Sequence, residues 1–311
     1  KLKQIPAALL DELRGSSRVA ERIQVLKVSQ NALEAINGDL FALLPLLKAL
    51  EADQNCLKQL PSEICTLSLS ALSLARNQLT ANSVVASLLG NRPCFRMQST
   101  LTELDLSSNR LEYLPSALLD FVSLRSLNLS NNRISSLAID PSLSSGWKRG
   151  LPVLETLDVS DNRIENLGDL PLILGESCPL LKTLLLQNNE IKAIPPSLGM
   201  LTSLQCIDLR GNPQRAVRNA VLEKGCEAIL IYLRNRMTPA ELQDFQMKQR
   251  AMSESVTVSM PEPLESTADR EGESHWPSDA IHEASALVDE LRTDIDALSF
   301  ELNHVHLSEA H

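Results

Sequence analysis

Aromatic side chains make up only 3% of this 311-residue chain, although 43% of it is hydrophobic. A globular enzyme usually draws much of its buried area from Phe, Tyr and Trp. A core left almost wholly to Leu, Ile, Val and Ala points instead to one small packing unit used repeatedly. Glycine is scarce too: there are 11, and none falls in a G-x-G-x-x-G phosphate loop. All five histidines (His275, His282, His304, His306 and His311) lie near the end. A Ser-His-Asp arrangement or a histidine metal cluster is therefore excluded from the first 274 residues. The six cysteines (Cys56, Cys65, Cys94, Cys178, Cys206 and Cys226) contain no C-x-x-C pair and no zinc-type spacing. Scattered in this way, they read as small unpaired hydrophobes of a reducing compartment. No run approaches the roughly 18 apolar residues that span a bilayer, and the visible N-terminus carries no signal peptide. The expectation is a soluble, cytoplasmic protein that is not an enzyme, with no metal, no cofactor and no membrane.

Charge is present but unevenly placed. From Met237 onward there are 16 acidic and 4 basic residues, which leaves the first 236 with 23 and 25. The net charge of −10 thus belongs to the tail. No basic stripe exists of the kind that nucleic-acid binding requires.

What the chain has in abundance is a repeat. The pattern L-x-x-L-x-L-x-x-N-x-L occurs eight times, for example as Leu69, Leu72, Leu74, Asn77, Leu79 and as Leu101, Leu104, Leu106, Asn109, Leu111. Its asparagines are Asn31, Asn55, Asn77, Asn109, Asn132, Asn162, Asn189 and Asn212, at steps of 24, 22, 32, 23, 30, 27 and 23 residues. The L-x-L core predicts a short strand with its leucines turned inward. The Asn predicts a side chain that pairs backbone groups which would otherwise be buried and unsatisfied. Pairs such as Leu60-Pro61, Leu114-Pro115 and Ile194-Pro195 then return the chain along the outer face. One such unit cannot bury its own leucines, so neighbours must stack. The predicted fold is an α/β solenoid, a leucine-rich repeat horseshoe with a parallel concave β-sheet, a C-terminal helical cap and a helical or disordered tail. The two longest steps place inserts within residues 81–98 and 138–150, on the outer face or loop edges.

Repeats are expected over residues 1–213, eight plus a truncated first one. Leu2-x-x-Ile5-Pro6 reads as the back half of a unit whose strand precedes residue 1, and the chain opens on Lys1 rather than Met. A helical cap is expected over 214–236 and a short helix over 237–252, opened by Thr238-Pro239 with Glu241 as its capping box. A flexible Ser-, Pro- and Glu-rich linker follows over 253–277. An amphipathic or coiled-coil helix is expected over 278–307, where Ile281, Ala284, Val288, Leu291, Ile295, Leu298, Leu302 and Val305 alternate steps of 3 and 4. That seam either mediates self-association or folds back on the solenoid.

The stretch Gly211-Asn-Pro-Gln-Arg-Ala-Val-Arg-Asn-Ala-Val-Leu-Glu-Lys-Gly225, followed by Glu227-Ala-Ile-Leu-Ile-Tyr-Leu-Arg234, resembles the ending of the family around leucine-rich repeat-containing protein 40. The repeats with Leu-Pro likewise resemble the intracellular Ras-group leucine-rich repeat proteins. The resemblance implies intracellular protein–protein interaction and transfers no catalytic residues.

The candidate site is therefore the concave face. One exposed column holds Glu51, Asp105, Asn128, Asp158 and Asp208; the next holds Asp53, Gln187 and Arg210. Together they read as a weakly acidic groove for a basic segment of a protein partner, or simply as the soluble filling of such strands. Trp147, beside Lys148 and Arg149 in the second insert, is a candidate partner anchor or the plug of its own loop. A regulatory or targeting subunit of a signalling enzyme (a phosphatase, a ubiquitin ligase or a small GTPase pathway) is the alternative to an interaction scaffold.

Overall fold

The computed structural model describes residues 1–16, 20, 22–89, 95–137 and 150–257. Trp147, most of the second insert and the expected helix over 278–307 lie outside the described residues. Eight three-residue strands, β1 (Val25–Lys27), β2 (Ala49–Glu51), β3 (Ala71–Ser73), β4 (Glu103–Asp105), β5 (Ser126–Asn128), β6 (Thr156–Asp158), β7 (Thr183–Leu185) and β8 (Cys206–Asp208), form one parallel sheet in chain order. Their register aligns Leu26, Leu50, Leu72, Leu104, Leu127, Leu157, Leu184 and Ile207 in a single inward column. The strand is thus x-L-x and not L-x-L. The second leucine of L-x-L still turns inward, one residue past the strand, and its amide donates to the next repeat, as Leu74 does to the Asp105 carbonyl at 2.9 Å. Three residues suffice because each repeat adds one strand to a continuous ladder, which relieves the strand of stability on its own.

The asparagines hold the turn that follows. Asn132 is buried; its Oδ1 accepts the Leu111 amide at 3.0 Å, and its Nδ2 donates to the carbonyls of Leu106, Leu129 and Ser130 at 3.0, 3.0 and 3.2 Å. Asn55, Asn77, Asn109, Asn162, Asn189 and Asn212 repeat the arrangement, each linking its own repeat to the one before. Asn31 accepts the amide of Leu2 at 3.0 Å, so Leu2 stands to Asn31 as Leu33 stands to Asn55.

The residue before each Asn has a left-handed backbone. Gln30, Gln54, Arg76, Ser108, Asn131, Asp161 and Asn188 have φ between 53° and 61°, and Gly211 completes the series at 70°. A non-glycine residue there is strained by about 1–2 kcal/mol. The conformation is held because its amide donates to the next repeat, as Arg76 does to the Ser107 carbonyl at 2.9 Å. Arg76→Val, β-branched at such a φ, is expected to lower the unfolding free energy by about 1–2 kcal/mol, whereas Arg76→Gly stays within about 0.5 kcal/mol of the parent. Urea titration checks the contrast; equal losses would place the effect in the side chain.

The outer face is helical. It begins with α1 (Ala7–Gly15) and α2 (Asp39–Leu43), and 3₁₀ turns occupy Ser62–Thr66, Ser116–Asp120 and Pro196–Met200, each directly after a proline. The first insert folds as α3 (Ala81–Leu89) and α4 (Phe95–Thr100), which bury Val84, Leu88 and Met97 in the common core. The longer sixth repeat accommodates α5 (Leu170–Ser177). One cysteine departs from the expectation of unpaired thiols. Cys65, at the end of an outer-face 3₁₀ turn, is disulfide-bonded, while Cys56, Cys178, Cys206 and Cys226 are free.

The cap comprises α6 (Asn219–Leu222) and α7 (Cys226–Arg234), which buries Ile229, Leu230 and Leu233 against the Pro196–Met200 turn. The Arg234 guanidinium donates twice to the Gly199 carbonyl, at 3.1 and 2.9 Å. The last described helix, α8 (Pro239–Thr257), starts with the Thr238–Glu241 capping box: the Glu241 carboxylate accepts the Thr238 amide at 2.8 Å, and Thr238 Oγ1 accepts the Glu241 amide at 3.2 Å. It packs Phe245 toward α5 and pairs Lys248 with Asp169 at 3.3 Å. It runs five residues beyond 252, since no Pro or Gly interrupts it before Pro261. Among the described residues no helix is long and apolar enough to cross a membrane.

Candidate protein-binding face

Because each strand is x-L-x, two residues per strand face outward on the concave side. The column after the inward leucine runs from Lys27 through Glu51, Ser73, Asp105, Asn128, Asp158 and Leu185 to Asp208. The column before it runs from Val25 through Ala49, Ala71, Glu103, Ser126, Thr156 and Thr183 to Cys206. Sequence reasoning missed this second column by taking L-x-L as the strand. The residue before the inward leucine was the available signal, and it holds Glu103.

The geometry divides the candidate residues. Asp105, Asn128, Asp158 and Asp208 each accept the backbone amide two residues on, at 2.8, 3.0, 2.9 and 3.0 Å. Part of their role is therefore to tie down the exit from the strand, which explains why D-x-S recurs. Asn128 also donates to Asp105 at 3.2 Å. Asp53 is occupied between repeats, where it accepts the Ala75 amide at 2.8 Å and the hydroxyls of Ser73 and Ser29. Arg210 folds back on Asp208, its Nε 2.9 Å from Oδ1, and this contact holds the Asp208 carboxyl below the usual range. Gln187 lies half-buried, and its Oε1 is a buried polar atom without a partner among the described residues. Glu51 faces Lys27 at 2.9 Å.

Glu51, Asp105 and Asn128 share a shallow depression of about 280 Å³ with Glu103. Its floor is the inward leucines and its walls include the small side chains of Ala49, Ala71, Ser73 and Ser126. Three carboxylates thus surround a space that small residues leave open. At the rim beyond, Glu155 bridges Lys182 and Arg125, both at 2.6 Å, and the Lys182 hydrogen bond chiefly lowers its pKa. Arg125 and Lys182 are exposed and Glu155 partly so, and salt screens the cluster, so it contributes little to stability. Among the described residues no three His, Cys, Asp or Glu side chains converge as metal ligands. The arrangement offers hydrogen-bond acceptors and negative charge on an open surface, which is chemistry suited to binding a cationic chain.

Residues 92–134 match the family model described as leucine rich repeat, and residues 122–172 and 179–217 match that for two-copy leucine rich repeats. The fold is that of a leucine-rich repeat solenoid, and these matches fall within its repeats. It is 29% identical over 207 residues to mouse leucine-rich repeat serine/threonine-protein kinase 1, covering 64% of this chain and 9% of that protein. It is 36% identical over 165 residues to the probable serine/threonine-protein kinase pats1 of Dictyostelium discoideum, covering 44% and 5%. The chain thus spans less than a tenth of either relative, and the likeness lies in their repeats. Among solved structures, a leucine-rich repeat protein of Leptospira interrogans superposes with a TM-score of 0.50 at 25% identity, over 70% of this chain and 54% of that one.

Proposed function

We propose that the chain is a non-enzymatic scaffold that holds a protein partner on its concave face, with a basic segment of that partner seated across β2 to β5. The observation that carries this reading is the depression where Glu51, Glu103 and Asp105 flank Ala49, Ala71 and Ser73. Asp105 is partly engaged with its own backbone and Glu51 with Lys27, but the small neighbours leave room for a lysine or arginine side chain to approach all three acids. The cap's likeness to the family around leucine-rich repeat-containing protein 40 supports an interaction role. A cytoplasmic setting is part of this reading: the resemblance to intracellular repeat proteins and the free Cys56, Cys178, Cys206 and Cys226 support it, while the Cys65 disulfide speaks against it.

The test is charge reversal. Glu51→Lys, Glu103→Lys and Asp105→Lys together are expected to weaken capture of partners from the native source at least about tenfold, with a matching loss of salt sensitivity. Glu12→Lys, Glu34→Lys and Glu190→Lys change the net charge equally at exposed positions off this face. Partners retained by the concave variant, or lost equally from both, would overturn the assignment.

A further inference from the structure

At the last strand the concave face ends in a cavity of about 660 Å³ between β8 and the cap, and two free thiols line it. Cys206 opens β8 and is exposed; Cys226 is the first residue of α7 and half-buried. The Cys226 sulfur lies 3.7 Å from the Leu204 carbonyl oxygen and faces the Ile207 amide, so it meets the backbone on either side of Cys206. A sulfur placed there sits against the free edge of the strand that carries the other thiol. Among the described residues the other free cysteines are placed differently: Cys178 is buried, its pKa pushed up to about 12 by desolvation, and Cys56 belongs to the turn of the second repeat.

We infer that Cys206 and Cys226 are a redox-modifiable dithiol whose disulfide staples the C-terminal cap onto the edge of the sheet. Burial, together with the nearby Cys206, raises the pKa of Cys226, so the exposed thiol reacts first. With a disulfide such as oxidised glutathione as oxidant, the Cys206 thiolate attacks one glutathione sulfur and releases one reduced glutathione. Cys226 then gives up its proton and attacks the Cys206 sulfur of the mixed disulfide, releasing the second. Two protein thiols are oxidised and one glutathione disulfide is reduced to two thiols, so atoms and electrons balance. The product covalently joins the strand to α7 across the cavity mouth, so the cap can no longer lift from the last repeat.

The experiment treats the whole folded chain with oxidised glutathione, quenches with an alkylating agent and maps tryptic peptides. The expected product is Ala193–Arg210 linked to Gly225–Arg234, accompanied by at least about tenfold slower amide hydrogen exchange in α7. Cys206→Ser is expected to leave Cys226 alkylated and exchange in α7 unchanged, and Cys226→Ser to stop Cys206 at the glutathione adduct. Accumulation of that adduct in the parent chain under excess oxidant, with Cys226 still alkylated, would show that the thiols cannot meet and would overturn the inference. So would a linked product that leaves exchange in α7 unaltered.

Discussion

Asn132→Ala is expected to lower the free energy of unfolding by about 3 kcal/mol, which a urea titration would read as a shifted midpoint with an unchanged slope. The reasoning is specific to the ladder. The Leu106 and Leu129 carbonyls each retain a second asparagine, Asn109 and Asn162 respectively, when Asn132 is removed. The Leu111 amide has only Asn132 Oδ1 among its described partners and becomes a buried orphan donor, costing about 1–3 kcal/mol. The three lost donor contacts add a smaller sum. Asn132→Asp separates hydrogen bonding from shape. It keeps the acceptor but aims a carboxylate at three carbonyl oxygens, so it is expected to be less stable than Asn132→Ala at neutral pH. Desolvation raises the folded-state pKa of that aspartate above its unfolded value of about 3.9. The Asp variant therefore regains stability relative to the Ala variant as pH falls through the raised pKa, when a protonated oxygen can donate again. Equal stability of the two variants across pH 4–8 would mean that the ladder is not what holds the turn.

The second large effect is expected at the cap. A Cβ added to Gly199 would lie 2.6 Å from the Arg234 amide nitrogen and 2.7 Å from the Leu230 carbonyl oxygen, both backbone atoms of α7. Neither can rotate aside, so Gly199→Ala must push the helix away from the Pro196–Met200 turn. That movement costs the paired Arg234 hydrogen bonds and part of the burial of Ile229, Leu230 and Leu233. A loss of about 3 kcal/mol is expected, with faster hydrogen exchange confined to α7 and α8. Gly175→Ala is the control. In α5 the added methyl meets only Leu201 Cδ2 at 3.6 Å, and replacing a helical glycine is expected to stabilise by about 0.5–1 kcal/mol. Similar losses at both glycines would show that the close approach of α7 does not limit stability.

The fold was legible because the repeat states its physics openly. Eight copies of the leucine motif, each with its asparagine, admit one arrangement, in which a unit unable to bury its own core stacks on its neighbours. The candidate face was legible only in part. Asp105 and Asp158 stood out as exposed acids, but whether an aspartate looks outward or closes its own turn depends on the backbone two residues on. Glu103 was passed over, since three-residue strands begin one residue earlier than the motif implies.

Composition and spacing alone determined that this chain is a leucine-rich repeat solenoid, because periodic burial of apolar side chains is a one-dimensional property that can be read along the sequence. Tertiary structure decided three other things: the left-handed residue before every asparagine, the acidic depression over Ala49 and Ala71, and the placing of Cys206 and Cys226 on one cavity at the capped edge. Each of these depends on groups roughly 20 residues or more apart being brought into contact by stacking. Separation along a chain carries no record of such a contact until neighbouring repeats pair.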